Sequence, residues 1–295
     1  MNALERGFLL LTSHLGDPER KVLTTAQLRI LADKIKHSES VGEDREVSER
    51  DLIRLGYGRE MARRIVALLE EEARLELYLQ RGARMDCYPV TRVSSRYPLI
   101  LRQRLGLDSP GCLWAMGDIG ILNTPAIALV GSRDLQEPNR KFAEAVGHHA
   151  ALQGLTLVSG NARGADRTAQ EACLEAGGRV VSIVADELYR QRQRGNVLYL
   201  SEDGFDDAFS SQRALSRNRC IHTLGRIVFV AQSSLHKGGT WDGTAKNLRF
   251  GWSPVACFRD GSEASIEMEQ LGAYLIDTEE LQDFDALPES AQPFL

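Results

Sequence analysis

Apolar residues change their spacing partway along the chain. In the first 80 residues they recur at helical intervals. Ala26, Leu28, Ile30, Leu31 and Ile35 form one set, with Thr24 and Thr25 placed in front as caps. Met61, Ile65, Leu68 and Leu69 form another, continued by Ala73, Leu75, Leu77 and Leu79. Between them, the polar stretch 37–50 (HSESVGEDREVSER) predicts an exposed loop, and the glycines of LIRLGYG at 52–58 predict a turn. From about Ala126 short β-branched runs replace this texture, at 126–130, 155–159, 179–185, 226–231, 254–258 and 273–276. Helical patterns fill the intervals, at roughly 138–153, 165–176, 211–224, 241–251 and 263–271. Near-continuous apolar strands alternating with helices predict a parallel sheet covered on both faces with right-handed crossovers. The expected fold is α/β, a doubly wound, mainly parallel Rossmann-like sheet preceded by a small helical domain. The expected boundaries are 1–82 for the helical domain, 83–276 for the sheet domain and 277–295 for a C-terminal tail.

Composition changes this picture little. The 295 residues suit two domains, and 36 Lys and Arg against 41 Asp and Glu exclude a globally basic protein but leave room for a basic patch. The five cysteines form no C-x-x-C pair and read as small buried hydrophobes in a reducing, cytoplasmic setting. No apolar run approaches the ~18 residues of a membrane span, and the opening MNALERGFLLLTSHLGDPER reads as a first helix. The six histidines, His148 and His149 among them, make no metal-binding pattern, and no nucleophile elbow is present. Neither a metal, a cofactor nor a catalytic residue is expected.

Ligands of a doubly wound sheet bind beyond the carboxyl ends of the strands, so the residues there carry the argument. The first predicted sheet strand ends in Gly131-Ser132-Arg133, small residues that admit a phosphate to the backbone, followed by a guanidinium. The second ends in Ser159-Gly160-Asn161-Ala162-Arg163-Gly164-Ala165-Asp166, two glycines around a cation at a helix start. Asp166 is expected to complement the helix dipole or to tie down Arg163. Between 210 and 250 stand seven cations, including Arg213, Arg217, Arg219 and Arg226, against the single acid Asp242. With Asn218 between two of the arginines, this suits a phosphodiester backbone better than an ordinary solvated face. Lys237-Gly238-Gly239-Thr240 repeats the pattern of backbone donors beside a helix, with Thr240 as the expected cap, and Trp241 is expected in the core.

In their linear order these segments resemble the DprA/Smf family of DNA-processing proteins, within the wider SLOG group. The resemblance covers roughly 80–260, through Tyr97-Pro98, Trp114-x-x-Gly117, IALVGSR, LTLVSGNARGADRTAQEA, RNRCIHTLGRIVFVAQ and KGGTWDGTAKN. It implies single-stranded DNA binding, delivery of a RecA-type recombinase in transformation or recombination, a homodimer and no established catalysis. By matching positions it implies a basic pocket lined by Arg133, Arg163, Arg217 and Arg219 and completed by Ser159, Gly160, Asn218 and Gly238-Gly239-Thr240. The chain departs from the family at Asn161-Ala162, at Ala165, and at the segment from Lys237 to Thr244. A winged helix is not expected after Ile276. A mononucleotide reading stays open beside DNA, as a nucleotide sensor or as a relative of the LOG phosphoribohydrolases, whose Gly-Gly-x-Gly-Thr turn is similar. Those enzymes follow the turn with a glutamate, where this chain has Trp241-Asp242.

Overall fold

Reciprocal caps open the first three helices. Asn2 and Glu5 cap α1 (Ala3–Thr12), Thr24 and Gln27 cap α2 (Thr25–Lys36), and Ser48 and Asp51 cap α3 (Glu49–Arg54), each side chain accepting from the other residue's backbone N–H. The computed structural model describes residues 1–38 and 47–287. The expected exposed loop at 37–50 therefore lies largely outside the described residues, and its last residues belong to α3 and its cap. The second expected helical block is two helices, α4 (Arg59–Leu69) and α5 (Glu72–Ala83). The break at Glu70-Glu71 resets the phase, so Leu75 and Tyr78 are buried while Leu77 is exposed. Leu11, Leu23, Leu31, Leu52, Ala62, Ile65 and Leu68 form the core of this region.

The chain divides into two compact units. The first holds Met1–Tyr97, Pro110–Trp114 and Glu202–Phe205, so it runs past the expected boundary at Gly82. The reason is packing. Gly82 sits against Trp114, Phe205 and the Cys87 carbonyl, and Tyr78, Trp114 and Phe205 form an aromatic cluster with centroids 4.8–5.2 Å apart. Strand β1 (Tyr88–Thr91) lies in this unit, and β2 (Cys112–Met116) begins in it.

The second unit contains α6 (Leu99–Leu105) and the parallel strands β3 (Ala126–Val130), β4 (Thr156–Ser159), β5 (Arg179–Ile183), β6 (Val197–Ser201), β7 (Val228–Val230), β8 (Val255–Phe258) and β9 (Tyr274–Ile276). Their order is β6-β5-β4-β3-β7-β8-β9. The chain winds outward from β3 to β6, then returns to the other side of β3, which places the switch point between β3 and β7. Helices α7 (Glu137–Leu152), α8 (Ala165–Glu175), α9 (Ser211–Ser216), α10 (Asn218–Leu224), α11 (Gly238–Phe250) and α12 (Glu263–Gln270) connect the strands. This is the doubly wound α/β fold that the patterning predicts. Strand β6 and the break between α9 and α10 are additions to it.

The expected tail at 277–295 is not loose over its described part. Leu281 and Phe284 are buried, Phe284 packs on Phe229 with centroids 5.2 Å apart, and Gln153 bonds the Leu281 carbonyl and the Phe284 N–H. All five cysteines are buried as free thiols, and burial pushes Cys87 up to about 12 and Cys173 up to about 11. Among the described residues, no helix is long and apolar enough to cross a membrane.

One histidine has a stability consequence. His222 on α10 is fully buried, and burial pulls its pKa from 6.5 down to about 3. Its ring Nδ1 meets Asn247 Nδ2 at 3.2 Å, and Asn247 Oδ1 is held by the Ser253 N–H, so Nδ1 accepts and the proton sits on Nε2. Below pH 6.5 the unfolded chain takes up a proton that the folded one refuses, so stability falls as pH drops towards 3, by ~1.4 kcal/mol per pH unit from this group. Denaturant melts between pH 7 and pH 5 will show a steeper loss in the native chain than in His222→Gln.

Candidate functional site

Three strand ends meet at the switch point, and they are physically joined. Gly164 has φ of 85°, and a Cβ there would stand 2.5 Å from the Ser132 carbonyl oxygen. The Ala165 N–H donates to that same carbonyl at 3.1 Å, and a Cβ on Gly131 would come within 2.5 Å of the Ala165 methyl. The loop after β4 therefore lies directly on the loop after β3, which only glycines at 131 and 164 permit. The Ala165 methyl is as much side chain as this approach admits. The loop after β7 joins from the other side. The Ser132 N–H donates to the Gln232 carbonyl at 2.9 Å, and the Gln136 N–H donates to Gln232 Oε1 at 2.8 Å.

On this scaffold Arg133 and Arg163 are exposed, and Arg163 reaches Asp134 at 2.8 Å across the two loops. Lys237 is exposed at the N-cap of α11, with Gly238, Gly239 and Thr240 forming the first helical turn. The expected Thr240 cap is thus inside the helix, and no side chain caps that turn. Asn218 donates from Nδ2 to the Gly239 carbonyl at 3.0 Å, tying α10 to the start of α11.

Arg217 takes a different place from the one expected. It is 8% exposed, its guanidinium lies against the Cα of Gly160, where a Cβ would overlap it, and its NH2 is 4.0 Å from Asp166 Oδ2. It lies beneath the loop and not on its surface. Asp166 accepts from the Ala162 N–H at 3.2 Å, so its near partners are Arg217 and the loop backbone, whereas Arg163 pairs with Asp134. Burial raises the Asp166 pKa, opposed by Arg217, by the N–H groups of Ala162 and Gly160, and by Arg133. Ser159 is fully buried, and its hydroxyl accepts from Gln170 Nε2 at 2.6 Å, so the side chain serves the core. Arg219 is half-buried and turned back onto the Ser216 hydroxyl and carbonyl.

The expected cationic strip is likewise divided. Arg213 donates to the carbonyls of Ala185, Asp207 and Ala208 and to the Ser201 hydroxyl, and Arg226 pairs with Asp285 at 2.7 Å. Trp241 is buried, as expected. A second basic segment, which patterning passed over, follows β5. Arg190, Arg192 and Arg194 are exposed in YRQRQR, and Gln191 Oε1 accepts from Asn161 Nδ2 at 2.9 Å, which holds the start of this segment beside the loop after β4. Its signal was available, since no acid stands between Glu187 and Glu202. Among the described residues, no group of three His, Cys, Asp or Glu is arranged to hold a metal.

Glycine-rich loops meeting at a topological switch point mark an α/β protein of the Rossmann-like class. Comparison with known proteins makes this specific. Residues 89–282 match the family model of DNA recombination-mediator protein A, and the chain belongs to that family. It is 32% identical over 167 residues to the DNA processing protein DprA of Streptococcus pneumoniae, covering 52% of this chain and 54% of that one. It is 28% identical over 144 residues to the Smf protein of Escherichia coli, covering 44% of this chain and 38% of that one. It thus spans about half the length of the pneumococcal relative, or less for Smf. The solved structure of pneumococcal DprA superposes with a TM-score of 0.68 over 95% of this chain and 98% of that chain, at 22% identity. The DNA processing protein A of Helicobacter pylori, solved for its single-stranded DNA binding mode, superposes with a TM-score of 0.56 over 67% of this chain and 93% of that chain, at 23% identity. Both share the fold.

Gly160→Ala tests the buried pair beneath the loop. The added methyl displaces the Arg217 guanidinium from its seat beside Asp166. Thermal or urea denaturation will show a loss of about 1–3 kcal/mol, the usual cost of overpacking.

Proposed function

We propose that the carboxyl edge of this sheet binds single-stranded DNA through its phosphates and that the protein acts as a recombination mediator. The observation that carries this reading is the bonded union of the loops after β3, β4 and β7, which sets exposed Arg133 and Arg163 on one rim. Free amides at the start of α11 and the Lys237 ammonium add donors suited to phosphate. The Arg163–Asp134 pair is largely exposed, and such pairs contribute ~0–1 kcal/mol, so a phosphate displaces the carboxylate at little cost. Gly131, Ser132, Gly160, Gly164, Gly238, Gly239 and Thr240 act through backbone and space. Asp166, Arg217 and Asn218 hold that backbone in place. Family membership and the H. pylori relative, described for its single-stranded DNA binding mode, support DNA as the ligand. Delivery of a RecA-type recombinase, a homodimer and a cytoplasmic location follow from the same family reading, as does the division of labour between a helical domain and a sheet domain.

Fluorescence titration with oligothymidine across a salt series tests the proposal. Affinity will fall as salt rises, with a log–log slope of about −0.7 per phosphate neutralised. Arg133→Ala and Arg163→Ala will each weaken binding for every sequence alike and make the slope shallower by about that amount, because phosphate contacts carry no base information. Absence of binding at low salt defeats the reading. Tight binding of AMP without oligonucleotide affinity transfers the site to a mononucleotide ligand, and release of its base that is lost in Asp242→Ala makes it a hydrolase.

A further inference from the structure

Helix α11 leads away from the carboxyl edge and ends on a feature the strand-end site does not use. The helix is about 20 Å long at 1.5 Å per residue. Lys246, Arg249 and Phe250 are exposed on it, Phe250 at 61%, and no acidic residue stands between Asp242 and Asp260. Gly251 then adopts the left-handed conformation, φ 61°, and its N–H donates to the Asn247 carbonyl at 2.8 Å. This turn lays Trp252 beside Phe250, with ring centroids 5.6 Å apart and planes 15° from parallel. The Arg249 guanidinium lies 5.6 Å from the Phe250 ring centre.

The stack is anchored from behind. Asn247 Oδ1 accepts from the Ser253 N–H at 2.9 Å, and the Ser253 hydroxyl donates to the His222 carbonyl at 2.7 Å. Arg104 NH1 holds the same hydroxyl at 2.6 Å. The indole is therefore positioned before any ligand arrives. Near-parallel rings flanked by cations match the face of a nucleobase and its phosphate. A purely apolar partner surface would leave Lys246 and Arg249 without a counter-charge.

We propose that Phe250 and Trp252, with Arg249 and Lys246, form a second contact for single-stranded nucleic acid, a stacking platform at the far end of α11 from the switch point. This rests on DNA binding at the carboxyl edge, and it predicts a length threshold. A short strand fills the strand-end site alone, and a longer one reaches the platform.

The test compares oligothymidines of about four and about sixteen nucleotides. The native chain will bind the longer strand about tenfold more tightly than repeated registers alone would give. Phe250→Ala will remove that gain while leaving the short strand unaffected, and Phe250→Tyr will keep it. The longer strand will also quench tryptophan emission, a change absent in Trp252→Phe because Trp114 and Trp241 are buried. Thermal melts of the variants confirm that the fold is intact. A Phe250→Ala protein with native affinity for the long strand, or one that loses both lengths equally, overturns the proposal; the former leaves the patch to a protein partner. If the native chain binds neither length, the strand-end reading fails together with this one. If it binds both with no gain for the longer, the platform alone fails.

Discussion

The contact on which the carboxyl edge depends is a backbone-to-backbone one, Gly164 lying on the Ser132 carbonyl. Adjacent parallel strands are ~4.8 Å apart, so the loops leaving them compete for the same space. Glycine at 131 and 164, and a single methyl at 165, resolve the competition by letting one loop lie on the other. Arg133, Arg163 and the Asp166–Arg217 pair all take their positions from this approach. A side chain at 164 meets both a steric wall and an unfavourable φ, and no repacking of neighbouring side chains relieves either.

Under that contact lies a buried pair of opposite charges. Burial alone raises the Asp166 pKa, and Arg217, two backbone N–H groups and Arg133 act against the rise. Such a pair is rarely a net source of stability, because desolvation offsets the attraction. Its role here is positional. Arg217 supports the Cα of Gly160, and Asp166 holds the Ala162 N–H, so the cation and the acid shape the loop from below while Arg133 and Arg163 face solvent above it.

Much of this was legible in the sequence because continuous apolar strands and helix-spaced intervals are strong signals. Six of the parallel strands fall on the predicted runs, and the glycine-rich strand ends stand where a doubly wound sheet places its ligand. What escaped has physical causes. Strand β6 follows β5 through a long connection without an α-helix, so the alternation that marked the other strands was missing. The first unit extends past Gly82 because Trp114 and Phe205, remote in sequence, complete its aromatic cluster. The arginines were read by their charge, whereas their geometry separates them. Arg213 is committed to carbonyls, Arg217 to a buried acid and Arg219 to a serine, so of the four arginines expected to line the pocket Arg133 and Arg163 are the exposed ones. Charge counts report how many cations a segment has, and tertiary packing decides which of them a ligand meets.

The buried thiols have a practical meaning. With burial holding Cys87 and Cys173 several units above neutrality, almost no thiolate exists to attack an electrophile or a peroxide. Those thiols are thus chemically quiet in the folded chain, and because all five cysteines are buried, alkylation at any of them becomes a clock for breathing of the surrounding layer. Cys87 and Cys112 would time the first unit, while Cys173, Cys220 and Cys257 would time the second.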